Sequence, residues 1–88
     1  AIANIYQSLE QGIRVFDSSI AGLGGCPYAK GASGNISTED LYYLLSNMGY
    51  DTGIDLDALM IASQNISQVL QRTNPSNYAN AYWQKHCA

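Results

Sequence analysis

Five of the eight glycines fall within one stretch, Ala21 to Asn35, together with one of the two cysteines and one of the two prolines. Glycine at that density lets a backbone enter left-handed conformations and pass close to a ligand. An apolar, β-branched run, Ile13 to Ile20, precedes the stretch, and the helix-opening residues Ser37-Thr38-Glu39-Asp40 follow it. A strand, a glycine loop and then a helix is the order in which α/β enzymes present side chains at the carboxyl ends of their strands. The rest of the chain is read as support for this loop.

Outward from the loop, the spacing predicts a helix over 1–12. Ile2, Ile5 and Leu9 share one face, and Gly12 is placed to end it. No capping residue precedes Ala1, so the sequence is expected to begin inside an element. Residues 13–20 are expected to form a strand covered on both faces, because apolar and small polar residues mix there without clean alternation. One strand cannot pair its own backbone groups, and each buried group left unpaired costs about 1–3 kcal/mol. This strand therefore needs partners the chain does not supply. Residues 21–36 form the loop. A second helix is expected over 37–49, capped by Ser37 with Asp40 completing a capping-box-like pair, striped by Leu41, Leu44, Leu45 and Met48, and closed by Gly49. After a turn at 50–54, Asp55 caps a third helix over 55–72. Its inner face is Leu59, Ser63, Ile66 and Leu70, flanked by Leu56, Met60 and Val69. Thr73-Asn74-Pro75-Ser76 breaks that helix, and 73–88 is a tail with room for a short helix.

The predicted fold class is α/β: helix, strand, glycine loop, helix, helix, mostly helical with one strand in isolation. Such an order is a natural piece of a (β/α)₈ barrel, a fold that needs roughly 250 residues, so the 88 here would supply about a third of one. The four basic residues, Arg14, Lys30, Arg72 and Lys85, are scattered and the net charge is −3, which argues against a nucleic-acid partner. No apolar run has the length of a membrane span. The two cysteines, Cys26 and Cys87, are read as reduced thiols, and the sequons at Asn35 and Asn65 as chance matches of a short pattern.

Cys26 is the sharpest chemical candidate. Set among glycines before Pro27, its thiol suits a nucleophile, a metal ligand or a proton donor, and equally a small packed side chain. A cysteine-based metal cluster finds no second Cys or His at ligand spacing. Asn35 ends the loop, where its amide oxygen suits a hard cation such as Mg²⁺ or Mn²⁺, or simply a turn. Glu39 and Asp40, in the first turn of a helix, are read as serving its dipole and cap, and Asp17 as a structural carboxylate. Lys30 matches no phosphate-binding pattern and is read as solvated. The tyrosines and Trp83 are packing residues, with no basic interleaving to make a stacking platform.

The run Asp17-Ser18-Ser19-Ile20-Ala21-Gly22-Leu23-Gly24-Gly25-Cys26-Pro27-Tyr28, continuing through Gly31, Ser33-Gly34-Asn35 and Ser37-Thr38-Glu39-Asp40, closely resembles the hydroxymethylglutaryl-CoA lyases. The resemblance runs from Ala1 to Leu56 and weakens after about Leu70. It implies the C-terminal portion of a divalent-metal-dependent barrel, commonly dimeric, that cleaves 3-hydroxy-3-methylglutaryl-CoA to acetyl-CoA and acetoacetate. Under it Cys26 is the catalytic loop cysteine acting in proton transfer, Asn35 a ligand of Mg²⁺ or Mn²⁺, and Gly22, Gly24, Gly25, Gly31 and Gly34 the loop that borders the substrate. The implied setting is intracellular, the mitochondrial matrix of a eukaryote or the cytoplasm of a bacterium, with no nucleic-acid or membrane partner.

The same resemblance places the family's His-x-His metal motif just before the residues matching Ala1, so these 88 residues alone are expected to be inactive. Two other readings stay open. One is a piece of a related acyl-CoA Claisen synthase or aldolase. The other is a stand-alone helical protein that binds a partner through its uncovered faces.

Overall fold

A computed structural model describes residues 2–24 and 35–86. Among them are four α-helices, α1 (Ile2–Glu10), α2 (Thr38–Asn47), α3 (Leu56–Leu70) and α4 (Asn77–His86), and one 3₁₀ turn at Ile20–Gly22. The helix starts follow the expected local chemistry. The Ser37 hydroxyl accepts from the Asp40 N–H at 3.1 Å, and the Asp55 carboxylate accepts from the Ala58 N–H at 3.2 Å. Each satisfies one of the donors that the first turn of a helix leaves unpaired.

Three helices end in one motif. Gly12 (φ +92°) donates its N–H to Leu9 O while Ile13 N–H reaches Ser8 O. Gly49 (φ +88°) and Tyr50 repeat that pair on Ser46 O and Leu45 O. At α3 the left-handed position is Gln71 (φ +53°), whose N–H goes to Gln68 O while Arg72 N–H goes to Ser67 O. This crossed pair satisfies the last carbonyls of a helix and needs a left-handed residue, usually glycine. The expectation of a helix through Arg72 runs two residues past the observed end, because Gln71 closes it without a glycine to announce it.

The strand expected over 13–20 does not form. Residues 13–18 belong to no helix or strand, and Val15 stands 84% exposed. Ser19 pairs with the far side of the loop: its N–H donates to Ile36 O (3.0 Å) and its carbonyl accepts from Thr38 N–H (2.9 Å), an isolated parallel bridge to Ser37. A strand exists only as part of a ladder, and no neighbouring strand is present among the described residues. Asp17 accordingly sits exposed. The tail holds the short helix it has room for, α4, ten residues long.

α2 packs against α1, α4 and the 3₁₀ turn, and α3 packs against α4 and the same turn. The molecule is a slab, 38 × 35 × 17 Å, about one and a half helix diameters thick. So thin a slab encloses little: among the described residues Leu9, Ala21, Leu41, Met60 and Ala79 are the buried apolar ones. The α2–α4 seam is aromatic, with the Tyr43 and Tyr78 rings 4.6 Å apart and tilted. On the inner face of α3, Met60 and Ser63 are fully buried, whereas Val69 and Leu70 stand exposed.

Candidate functional site

The two ends of the glycine loop are pinched together, and three sequence-predicted residues meet there. Beside the Ser19–Ser37 bridge, the Ser18 and Thr38 hydroxyls bond at 2.8 Å, and Asn35 donates its amide Nδ2–H to Leu23 O at 2.9 Å. Gly22 (φ +64°) and Gly24 (φ +88°) make this approach possible. A Cβ on Gly24 would lie 2.8 Å from Asn35 Nδ2, and one on Gly22 would lie 3.2 Å from both Asn35 O and Pro75 Cγ. Side chains at either position would push Asn35 away from the neck.

The turn that opens the loop is itself unusual. Ala21 adopts φ +53°, ψ +21° in the middle of the 3₁₀ turn, a left-handed conformation that costs an L-residue with a Cβ about 1–2 kcal/mol. Its N–H donates to both carboxylate oxygens of Glu39, at 3.0 and 3.2 Å. Glu39 is completely buried. It also accepts from Ser63 Oγ–H and, at 3.1 Å, from Asn74 Nδ2–H. Every partner is a donor, matching what a carboxylate offers. Burial of such a group is tolerable only with its hydrogen bonds made.

Asp40, one residue on, faces another way. Its Oδ1 accepts from Ser76 Oγ–H at 2.7 Å and from Tyr78 N–H at 3.2 Å, at the start of α4. Ser76 in turn caps α4 by accepting from Ala79 N–H at 3.0 Å. The expected capping-box pair is therefore half present. Ser37 caps α2, but the Asp40 carboxylate supports α4. The adjacent acids are internal struts, one for the loop and one for the last helix.

Asn35, Gly22 and Gly24 are thus brought together, while Cys26, Gly25, Gly31 and Gly34 lie outside the described residues. With Nδ2 committed to Leu23 O, the Asn35 side chain is oriented and exposed, and its amide oxygen is a hard donor suited to Mg²⁺ or Mn²⁺. It is one donor. Among the described residues no three His, Cys, Asp or Glu side chains gather where they could hold an ion, and Mg²⁺ takes six ligands. The remaining donors would have to come from elsewhere.

Sequence reasoning missed Glu39, Ser63, Asn74 and Ser76 as supports of the site. One signal was legible. Ser63 falls on the apolar inner face of α3, and a hydroxyl there calls for a polar partner across the interface.

The candidate site is thus a loop pinched at its neck, with an oriented asparagine amide beside it and a buried carboxylate under the turn that opens it. The model of the HMGL-like family matches residues 1–66, and the chain belongs to that family. It is 58% identical over 81 residues to a 3-hydroxy-3-isohexenylglutaryl-CoA/hydroxymethylglutaryl-CoA lyase of Pseudomonas aeruginosa, covering 92% of this chain and 27% of that protein. To the mitochondrial hydroxymethylglutaryl-CoA lyase of Homo sapiens it is 52% identical over 81 residues, covering 92% and 25%. Among solved structures it superposes on a hydroxymethylglutaryl-CoA lyase from Pseudomonas aeruginosa with a TM-score of 0.87 and 56% identity, over 96% of this chain and 28% of that one. An Acinetobacter baumannii HMG-CoA lyase, in complex with coenzyme A and 3-methylmalate, gives a TM-score of 0.83 at 46% identity, over 91% and 26%. The chain spans about a quarter of the length of these relatives. Animal relatives are named both as cytoplasmic and as mitochondrial, and no described helix is long and apolar enough to cross a membrane.

Proposed function

We propose that this chain is the part of a carbon–carbon lyase barrel that carries the catalytic loop and one metal ligand. The reaction is cleavage of 3-hydroxy-3-methylglutaryl-CoA to acetyl-CoA and acetoacetate. The observation that carries the reading is the neck: Asn35 Nδ2 held on Leu23 O, with Gly22 and Gly24 leaving room for nothing larger. Relatives 52–58% identical are named as this lyase.

A divalent cation, Mg²⁺ or Mn²⁺, would supply charge that polarises the substrate's oxygens. The tasks of this chain's own residues are distinct from that. Asn35 offers one amide oxygen in a fixed orientation. Gly22 and Gly24 let the loop's backbone close on the neck, and the remaining loop glycines, Gly25, Gly31 and Gly34, let it border the substrate and exclude water. Cys26 Sγ moves a proton to or from the carbon released as the methyl end of the acetyl thioester.

By this reading the rest of the barrel pairs with the segment 13–20 and covers its exposed Ile13 and Val15. The whole enzyme works as an intracellular homodimer, and this chain alone is inactive. A second substrate has specific support, since the Pseudomonas aeruginosa relative's name includes the longer 3-isohexenyl analogue. Metal-dependent acetoacetate release by the whole native polypeptide, lost on chelation, is the expected result. Its absence with both thioesters overturns the reading.

A further inference from the structure

We propose that Ser63 and Asn74 are positioning residues of the glycine loop, acting through Glu39 to hold its opening turn at Ile20–Gly22. The inference rests on the lyase reading for its catalytic consequence, but the anchoring itself stands on geometry alone.

Glu39 has one backbone partner outside its own helix, the N–H of Ala21, at the left-handed residue where the chain turns into the loop. The carboxylate is set by two side chains from the other end of the chain. Ser63 Oγ–H donates to Oε2, and Asn74 Nδ2–H reaches both that oxygen (3.1 Å) and Ser63 Oγ (2.6 Å). Asn74 is itself fixed from behind. Its Oδ1 accepts from Ser76 N–H at 2.9 Å, and its carbonyl accepts from Asn80 Nδ2–H at 3.0 Å. The next residue, Pro75, stands over the loop entry, its Cγ lying 3.2 Å from where a Gly22 Cβ would be. The α3–α4 turn, tied together by these bonds, thus meets two consecutive residues of the loop entry: it holds Ala21 through Glu39 and, through Pro75, leaves no room for a side chain at Gly22.

An apolar side chain of similar volume would fill the space under Ala21 without the desolvation a carboxylate suffers. What the carboxylate adds is direction, since it fixes the one N–H whose orientation decides the hand of the turn. The match to the family model ends at residue 66, so Asn74 lies beyond the segment the family pattern covers.

The test uses the whole native polypeptide carrying Asn74→Asp, Asn74→Ala, Ser63→Ala or Ser63→Thr, with hydrogen exchange read at residues 21–23 and in α1. Asp has the shape of Asn but brings an acceptor where a donor is needed. Asn74→Asp is expected to speed exchange at 21–23 roughly ten-fold or more, and by more than Asn74→Ala does, with α1 unchanged. Ser63→Thr, which keeps the hydroxyl, is expected to exchange more slowly there than Ser63→Ala. In the lyase assay Asn74→Asp is expected to lower kcat several-fold with little change in KM, because the loop and not ground-state binding is disturbed. If Asp is milder than Ala, the side chain acts by filling space and the proposal falls. It also falls if exchange is unchanged, or rises equally in α1. If the local exchange pattern appears in a protein whose unsubstituted form cleaves no thioester, the anchoring stands and the lyase reading falls.

Discussion

The loop neck and the segment just before it are built on opposite terms. From Ser19 to Gly22 and from Asn35 to Asp40, the chain satisfies itself. Ala21 and Glu39 are buried, their polar groups are paired, and the partners arrive from α3 and the α3–α4 turn. From Ile13 to Ser18 the chain forms no ladder, and Ile13 and Val15 stand 47% and 84% exposed. The difference lies in where the partners are. The neck needs short-range turns and side chains that these 88 residues contain. The extended segment needs neighbouring strands, and a strand without them has no structure of its own to hold.

Perturbing the neck should give the largest effects. Glu39→Ala strips the acceptor from Ala21, Ser63 and Asn74 together and should cost on the order of 3 kcal/mol or more in denaturant unfolding of the whole protein. An equal loss from Val15→Ser in the 88-residue chain would erase the contrast, since an exposed substitution there should stay within about 0.5 kcal/mol. Gly24→Ala comes next. It forces a Cβ to 2.8 Å from Asn35 Nδ2 at φ +88° and should cost about 2 kcal/mol while freeing Asn35 from Leu23 O. Gln71→Gly has the opposite sign. Relieving a left-handed non-glycine residue should raise stability by about 0.5–1 kcal/mol, read as a shift of the unfolding midpoint.

The smallest effect is a pH dependence far from the neck. Tyr82 donates to Asp57 Oδ1 at 2.7 Å, and that bond raises its phenol above the usual value, with burial and the Asp57 charge adding to the shift. The protonated phenol is therefore favoured by the fold. Its stabilising share is complete below a pH of about 10 and is lost as pH rises through the raised folded value. Tyr82→Phe should flatten the alkaline limb of the stability curve. A remainder should persist from Tyr78, which burial and the Tyr42 and Tyr43 phenols shift the same way.

What was legible in the sequence was what is local in it. Gly12 and Gly49 announce two helix ends, and Ser37 and Asp55 announce two starts, because each motif closes within a few residues. Gln71 performs the same closure without the residue type that advertises it. The strand expected over 13–20 does not form among the described residues, because its pattern describes a partnered environment that these residues do not contain. Glu39 was read as a helix-dipole residue, since its partners Ser63 and Asn74 lie 24 and 35 positions away and nothing in the local pattern points to them. For the candidate site, Asn35, Gly22 and Gly24 were named from the sequence and meet in the structure, while the role of Cys26 rests on resemblance.

The most direct test of the account is Mn²⁺ binding to the whole native polypeptide, followed by electron paramagnetic resonance, with Asn35 intact and as Asn35→Ala. If the neck presents a metal ligand, the substitution should weaken Mn²⁺ about ten-fold or more. Equal affinity in the two proteins would mean that Asn35 serves only to tie Leu23, and would contradict the metal-dependent reading of this loop.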